Sequence, residues 1–195
     1  MELHDTNHRP VCFSVIGWHN AGKTTLSQAM IQEWTRRGLR VAAIKRDGHA
    51  SQTQGDDWEK PGSDSVLLAQ AGATMTLLVG EERSLLRIQG DEETADVMSL
   101  CWRLRQHGER TGSRFDVILV EGFKDGPLPK VAVIGSLQEW EQMKQENVQG
   151  VHAVFWRNNL SRHHEPLTEL NYPSFYENNV SALCDEVLTW QTNWE

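Results

Sequence analysis

Residues Gly17 to Thr24 form the segment of this sequence whose types and spacing most clearly indicate a chemical role. They read Gly-Trp-His-Asn-Ala-Gly-Lys-Thr and match the pattern G-x-x-x-x-G-K-[ST] at every fixed position. Glycines in this pattern let the backbone turn so that successive N–H groups point at phosphate oxygens, and Lys23 adds a mobile ammonium group. The Thr24 hydroxyl suits Mg²⁺, which prefers hard oxygen ligands. The segment is therefore predicted to bind the phosphates of a nucleotide.

The residues predicted to contact the nucleotide lie in this segment and just after it. They are Gly17, His19, Asn20, Ala21, Gly22, Lys23, Thr24 and Thr25. The His19 side chain is either a nucleotide contact or a group that faces solvent, and the sequence leaves both open. For the whole segment, the alternative is a glycine-rich turn that matches by chance. Its position between a predicted strand and a predicted helix favours the nucleotide site.

Two carboxylates are candidates for holding the metal that accompanies a nucleotide. Asp47 and Glu121 each follow a predicted strand, and ligands gather at the carboxyl ends of the strands in a parallel α/β sheet. We therefore predict that Thr24 binds Mg²⁺ together with Glu121 or Asp47. Catalytic roles are predicted for Lys23 and for Asp47, the best candidate for a base that activates water. No other residue is a convincing base, so hydrolysis is expected to be slow.

Three basic residues surround Asp47, namely Lys45, Arg46 and His49. Cations beside a phosphate site would help to neutralise a triphosphate. The alternative is an ordinary solvated basic turn, and the sequence does not decide between the two.

The elements that must position these residues follow from the hydrophobic pattern. The apolar run at 11–16 predicts a buried strand, and the spacing after it predicts a helix that begins at Lys23 and ends near Gly38. A second strand is predicted at 39–45. Strand, crossover helix and strand are typical of a parallel sheet.

The rest of the chain continues this alternation of strands and helices. Strands are predicted at 74–79, 85–88, 115–120, 131–134 and 151–156, and the strand at 151–156 is predicted to be the last one. Helices are predicted at 64–71, 94–106, 137–146 and from 178 or 179 to about 191. The predicted fold is α/β of the P-loop NTPase type, a mostly parallel sheet flanked by helices, with a short β-hairpin at 74–88. A polar loop as long as 46–63 is usually functional or mobile.

Length and composition exclude several classes of protein. A chain of 195 residues is expected to form one domain, here residues 11–195 after a flexible N-terminus at 1–10. The net charge of −8 argues against a general nucleic-acid binder, which needs a basic face. Three scattered cysteines give neither a disulfide framework nor a zinc spacing. No signal peptide or membrane span is apparent, so a cytoplasmic protein without membrane contact is expected.

Several blocks in order resemble one known family, the molybdopterin-guanine dinucleotide biosynthesis adapter proteins (MobB). The blocks are Gly17 to Thr25, Lys45 to His49, Asp57 with Lys60 to Ser65, Ala71 to Ala73, Val120 to Lys124 and Pro129 to Val131. The phosphate loop is shared by many families, whereas the Glu-Gly-Phe-Lys and Pro-Gly-x-Asp-Ser blocks are far more specific. Arg46 stands where the family often has histidine, which puts in doubt any imidazole role there.

The resemblance implies properties that composition and spacing do not show. It implies binding of GTP with Mg²⁺, weak GTP hydrolysis and a homodimer. It also implies assistance to the molybdenum cofactor guanylyltransferase, the enzyme that attaches GMP to molybdopterin. The Asn-Lys-x-Asp guanine motif is absent, so base recognition is assigned to no residue, although the turn at 157–159 after a predicted strand is a candidate.

Two other functions use the same phosphate loop and stay open. A small-molecule kinase would carry a lid of arginines, and no cluster of arginines falls in an obvious lid here. A GTPase metallochaperone would need a nickel or zinc site, and no histidine pairs with a cysteine at a metal-ligand spacing.

Overall fold

A computed structural model describes residues 9–46, 63–81, 84–88, 96–157 and 171–194. Its elements in chain order are β1 (Val11–Ile16), α1 (Lys23–Arg36), β2 (Val41–Lys45), α2 (Asp64–Gln70), β3 (Met75–Val79), β4 (Ser84–Ile88), α3 (Val97–Thr111), β5 (Val117–Glu121), β6 (Lys130–Ile134), α4 (Leu137–Gln145), β7 (Val151–Trp156), β8 (Ser174–Tyr176) and α5 (Val180–Leu188). Contacts divide the chain into two units, residues 1–46 with 97–195, and residues 47–96.

The first unit is built on a six-stranded sheet in the order β2-β5-β1-β6-β7-β8. Every neighbouring pair is parallel. β1 and its neighbour β5 consist mainly of β-branched and aromatic residues that are buried on both faces, as strands in parallel sheets usually are. The predicted α/β class with a mostly parallel sheet is confirmed.

Helices cover both faces of this sheet because alternate residues of each strand point in opposite directions. Phe13 of β1 packs against Trp34 of α1, with ring centroids 5.8 Å apart, in the cluster that includes α5. Cys12, the preceding residue, packs with Cys101 of α3 on the opposite face. A third cluster lies between β6, β7 and α4 and includes Trp140.

The C-terminal segment after α5 returns to the first strand. The Cys12 N–H donates to Thr192 Oγ1 at 2.7 Å, and the Thr192 hydroxyl donates back to the Cys12 carbonyl at 3.2 Å. Trp190 and Trp194 on either side of Thr192 are buried in the two opposite clusters. Residues 190–194 therefore join the two helical layers.

The second unit contains α2 and the antiparallel pair β3–β4, so the predicted β-hairpin is confirmed. Many large apolar side chains of this unit are exposed. They are Leu67, Leu68, Met75, Leu77, Leu78, Val79, Leu85 and Leu86. Leu77 and Leu78, which are neighbours on β3 and point to opposite faces of the strand, are 58% and 52% exposed.

Two sequence-based predictions about elements are wrong. β7 is not the last strand, because Ser174–Tyr176 adds a short parallel strand beside it. α3 does not stop at residue 106 but runs to Thr111 through Gly108, where a Cβ would lie 2.8 Å from the Ser113 carbonyl oxygen and 3.1 Å from the Phe115 ring. Glycine at this position therefore permits close packing rather than ending the helix. Most of the predicted 46–63 loop lies outside the described residues.

No helix in the described ranges is long and apolar enough to cross a membrane.

The α1 layer gives a direct test of the core. Met30 is 0% exposed in the cluster beneath the sheet, whereas Gln32 on the same helix is exposed. We expect Met30→Ala to lower the free energy of unfolding by about 2–5 kcal/mol, because it removes buried apolar volume and leaves a cavity. Gln32→Ala should change it by no more than about 0.5 kcal/mol. Urea unfolding followed by circular dichroism measures both, and equal effects would contradict the assigned helix faces.

Candidate nucleotide-binding site

The loop at residues 17–22 connects the central strand β1 to α1. Gly17 has a φ of +155°, and a Cβ there would lie 2.7 Å from the Val133 carbonyl oxygen, so only glycine fits between the loop and β6. Gly22, the N-cap of α1, has a φ of +84° in the left-handed region that glycine adopts without strain. The two fixed glycines of the motif thus each have a geometric reason.

Lys23 begins α1 and turns its side chain back over this loop. Its ammonium donates to the carbonyl oxygens of Gly17 at 3.1 Å and Trp18 at 2.7 Å. Burial lowers the pKa of Lys23 below its ordinary value; the nearby Glu121 carboxylate opposes this effect and the Lys45 ammonium adds to it. The ammonium is thus held over the loop, with neutral carbonyls as its hydrogen-bond acceptors.

Glu121 is placed beside the loop by the register of the parallel strands. As the last residue of β5, it lies opposite Val15 of β1 and Lys45 of β2. The Thr24 hydroxyl donates to its carboxylate, with Oγ1 2.9 Å from Oε1 and 3.0 Å from Oε2. The Lys45 ammonium lies 3.5 Å from Oε1. A carboxylate whose side chain is only 12% exposed is costly without partners, and these two groups are its partners.

These groups surround a cavity of about 350 Å³ at the carboxyl edge of the sheet. It is lined by His19, Asn20, Ala21, Gly22, Lys23, Thr24, Thr25, Lys45 and Glu121. Seven of these residues are the predicted nucleotide contacts 19–25. The eighth predicted contact, Gly17, does not line the cavity, but its carbonyl oxygen accepts a hydrogen bond from Lys23. The predicted residues are therefore brought together in space.

The predicted metal ligands are brought together only in part. Thr24 and Glu121 are hydrogen-bonded, and both offer oxygen, the donor type that Mg²⁺ prefers. Their arrangement fits a magnesium site in which the hydroxyl and the carboxylate hold the ion directly or through water. Asp47, predicted as a metal ligand and catalytic base, lies outside the described residues, as does His49. Asp116 directly precedes β5 and therefore lies at the opposite end of that strand from Glu121. Its carboxylate accepts the Arg40 backbone N–H at 2.7 Å.

Lys130 is buried, which its sequence pattern does not predict. It is 1% exposed, and its ammonium donates to the carbonyl oxygens of Gly126 at 2.6 Å and Leu128 at 3.0 Å. Lys130 thereby holds the loop at 122–129 that follows Glu121. Lys130 belongs to the block Pro129 to Val131 that resembles the family, but a lysine at the start of an apolar strand does not predict that the charge points inward.

The predicted base-recognition turn begins with an ion pair. Arg157, just after β7, donates to the Glu139 carboxylate, which also accepts the Gly135 N–H at 2.8 Å. These three residues lie at the carboxyl ends of β6 and β7 and the start of α4. The candidate residues at 158 and 159 lie outside the described ranges.

The parallel sheet, the glycine loop before α1 and the carboxylate on the adjacent strand define the class of this protein as P-loop NTPase-type. More narrowly, the model of the family described as Molybdopterin guanine dinucleotide synthesis protein B matches residues 12–156, and the chain belongs to this MobB family.

Curated relatives and solved structures agree with this family. The chain is 36% identical over 117 residues to the molybdopterin-guanine dinucleotide biosynthesis adapter protein of Escherichia coli, and 34% identical over 125 residues to that of Haemophilus influenzae. The matches cover 60% and 64% of this chain, and 61% and 64% of those relatives, which is less than two thirds of their length.

Solved structures extend the likeness of fold over most of the chain. The crystal structure of Bacillus subtilis MobB superimposes with a TM-score of 0.66 at 23% identity, over 93% of this chain and 98% of that one. A MobB homologue from Bacillus stearothermophilus gives 0.59 at 23% identity, over 92% and 99%. At this identity the likeness shows the fold alone.

The buried Lys130 generates a pH-dependent prediction. Burial lowers the pKa of Lys130 below the ordinary value of 10.5. Between the lowered pKa and 10.5 the unfolded state binds more protons than the folded state, so the contribution of Lys130 to the free energy of unfolding rises with pH there. We expect Lys130→Met to be less stable by about 1–3 kcal/mol near neutral pH, because the carbonyls of Gly126 and Leu128 lose their donor.

The stability difference between wild type and Lys130→Met should then grow as the pH approaches 10.5. Urea unfolding at several pH values measures it. The exposed Lys144→Met, on α4, serves as the control and should give a small difference that does not rise in the same way. A difference for Lys130→Met that stays flat or falls with rising pH would contradict the assignment.

Proposed function

We propose that this protein is a GTP-binding adapter in the conversion of molybdopterin to its guanine dinucleotide form, with weak Mg²⁺-dependent GTP hydrolysis. One observation carries the nucleotide part, namely the Thr24–Glu121 hydrogen bond beside a complete phosphate loop. The family membership and the adapter names of the curated relatives support the biosynthetic part. Because the matches cover less than two thirds of those relatives, substrate and partners belong to the proposal.

The loop and the first turn of α1 supply the phosphate-binding groups. Backbone N–H groups at a helix N-terminus attract anions, and α1 carries no acidic residue in its first turn to oppose this. On binding, the Lys23 ammonium would exchange the carbonyls of Gly17 and Trp18 for phosphate oxygens. The exchange replaces neutral acceptors with charged ones, which form stronger hydrogen bonds.

Thr24 and Glu121 would hold the magnesium ion. When bound, Mg²⁺ supplies positive charge to the phosphate oxygens. An oxygen lone pair of the Thr24 hydroxyl would be available to the ion, because the hydroxyl donates its proton to Glu121. Glu121 retains its place because its backbone is paired on both sides, to β1 and to β2.

The contacts of the Glu121 carboxylate are consistent with slow GTP hydrolysis. Among the described residues that line the cavity, Glu121 is the one carboxylate, and it is already bonded to Thr24 and paired with Lys45. We propose Asp47 as the base for any hydrolysis. A residue supplied by a partner is a common way for P-loop proteins to accelerate this reaction. The protein would therefore act mainly by binding GTP and engaging the molybdenum cofactor guanylyltransferase.

A homodimer is part of the same proposal, and the exposed hairpin supports it. A two-stranded sheet is marginally stable in water unless something covers one of its faces. Four of the five β3 side chains are large, apolar and more than half exposed, which is unusual for a surface that remains in water. A second copy of the hairpin offers a matching apolar surface and a symmetric contact.

Lys23→Ala tests the nucleotide site. It should abolish measurable binding of GTP in the presence of Mg²⁺, because the phosphates lose their charged donor, and leave the melting temperature close to that of wild type. Isothermal titration calorimetry with GTP and, in parallel, ATP measures this. The exposed Lys144→Ala removes the same charge elsewhere and should bind as wild type does.

The same titrations test the choice of nucleotide. We expect wild type to prefer GTP. A preference for ATP would favour the small-molecule kinase, and normal binding by Lys23→Ala would overturn the site itself.

Leu77→Glu tests the homodimer. It places a charge on an exposed position of the hairpin, so it should shift the chain from dimer to monomer in sedimentation velocity while the fold is retained. Leu137→Glu, at a 37% exposed position on α4, is the matched control and should remain dimeric. A wild-type protein that is monomeric at all concentrations, or a dimer unaffected by Leu77→Glu, would contradict the proposal.

A further inference from the structure

Lys45 is a cavity residue to which the phosphate-loop motif assigns no role. It ends β2, two strands away from β1, and the register β1-β5-β2 brings it level with Glu121. Its ammonium lies 3.5 Å from the Glu121 carboxylate. Lys23 begins the helix on the other side of the same carboxylate. The cavity therefore has an ammonium group on each of two walls.

The Lys45–Glu121 ion pair is weakly held. The Lys45 side chain is 62% exposed, against 12% for Glu121, and 3.5 Å is longer than a good hydrogen bond between charged groups. The cation of the pair lies largely in water, and the Thr24 hydroxyl keeps its own hydrogen bond to the carboxylate when Lys45 leaves it. The Lys45 ammonium can therefore move to another anion in the cavity at small cost.

The charges that line the cavity favour such a move when a highly charged anion enters. Among the described lining residues, Lys23 and Lys45 are cationic and Glu121 is anionic, so the wall carries a net positive charge. Glu121 is also the carboxylate assigned to Mg²⁺, and a cation there competes with Lys45 for it. Lys45 then has a terminal phosphate as its alternative partner.

The neighbouring cation does not share this position. The Arg46 guanidinium lies over the Phe123 ring, 4.9 Å from its centroid, and Arg46 is not among the cavity-lining residues. Two adjacent basic residues at the end of β2 thus point to different surroundings. This difference selects Lys45 and provides a control of the same charge.

We propose that Lys45 is a specificity-determining residue that contacts the terminal phosphate of the bound nucleotide, so that the site prefers a nucleoside triphosphate to the diphosphate. The proposal rests on the proposed nucleotide binding and deepens it. Lys23 and the loop amides hold the phosphates that GTP and GDP share, whereas Lys45 reaches the phosphate that only GTP has. Lys45 exchanges Glu121 for this phosphate as the nucleotide enters.

Calorimetric titration of the full chain with GTP and with GDP, both with Mg²⁺, tests this. Lys45→Met should weaken GTP binding by about ten- to a hundredfold, the effect of losing one hydrogen bond between charged groups, and change GDP binding by less than about threefold. Lys45→Arg should recover most of the GTP affinity because it restores the charge. Arg46→Gln should leave the ratio of the two affinities unchanged.

A merely structural role for Lys45 would give a different pattern. If Lys45 only positioned Glu121, Lys45→Met would alter the Mg²⁺ concentration needed for half-maximal binding and affect both nucleotides equally. Equal losses for GTP and GDP, or no loss for either, would overturn the proposal while leaving nucleotide binding intact. Failure of the wild-type chain to bind either nucleotide would overturn the proposed function, and this proposal with it. Thermal melting of each variant shows that the fold is retained.

Discussion

The parallel pairing of β5 with both β1 and β2 is the constraint on which the site depends. Side chains alternate between the two faces of a strand, so a shift of the β5 register by one residue would send the Glu121 carboxylate to the other face. All five residues of β5 are buried, which fixes the register through packing. The core of the sheet therefore fixes the position of the Glu121 carboxylate beside the phosphate loop.

The partners that stabilise the buried Glu121 carboxylate are themselves residues of the cavity. A buried carboxylate must be partnered, and here a hydroxyl from α1 and an ammonium from β2 serve this purpose. The same two groups are those that a metal ion and a phosphate would engage. The groups of the proposed site are thus in contact with one another, so a ligand bound as proposed would replace existing contacts.

The sequence predicts those parts of the molecule in which local chemistry is decisive. The bounds of β1 and the first residue of α1 follow from the spacing of the loop, and Glu121 follows from its position after an apolar run. Other features depend on contacts between distant residues. β8 has three residues, too few for a periodic pattern, and Gly108 lies within α3, where a Cβ would come within 3.1 Å of the Phe115 ring. The inward charge of Lys130 likewise depends on carbonyls contributed by a loop. Asp47 stays a prediction.

The return of the C-terminal segment to β1 has a consequence for how the chain is made. β1 is synthesised before the segments that pair with it, because its sheet neighbours begin at residues 117 and 130, and the hydroxyl that bonds to both backbone groups of Cys12 belongs to residue 192. β1 therefore cannot form its native pairs with β5 and β6 until those strands have been synthesised. Such long-range pairing slows folding and leaves apolar segments open to aggregation. The apolar residues of β1 therefore lack their native partners until the segments that contain residues 117–134 and 192 have been synthesised.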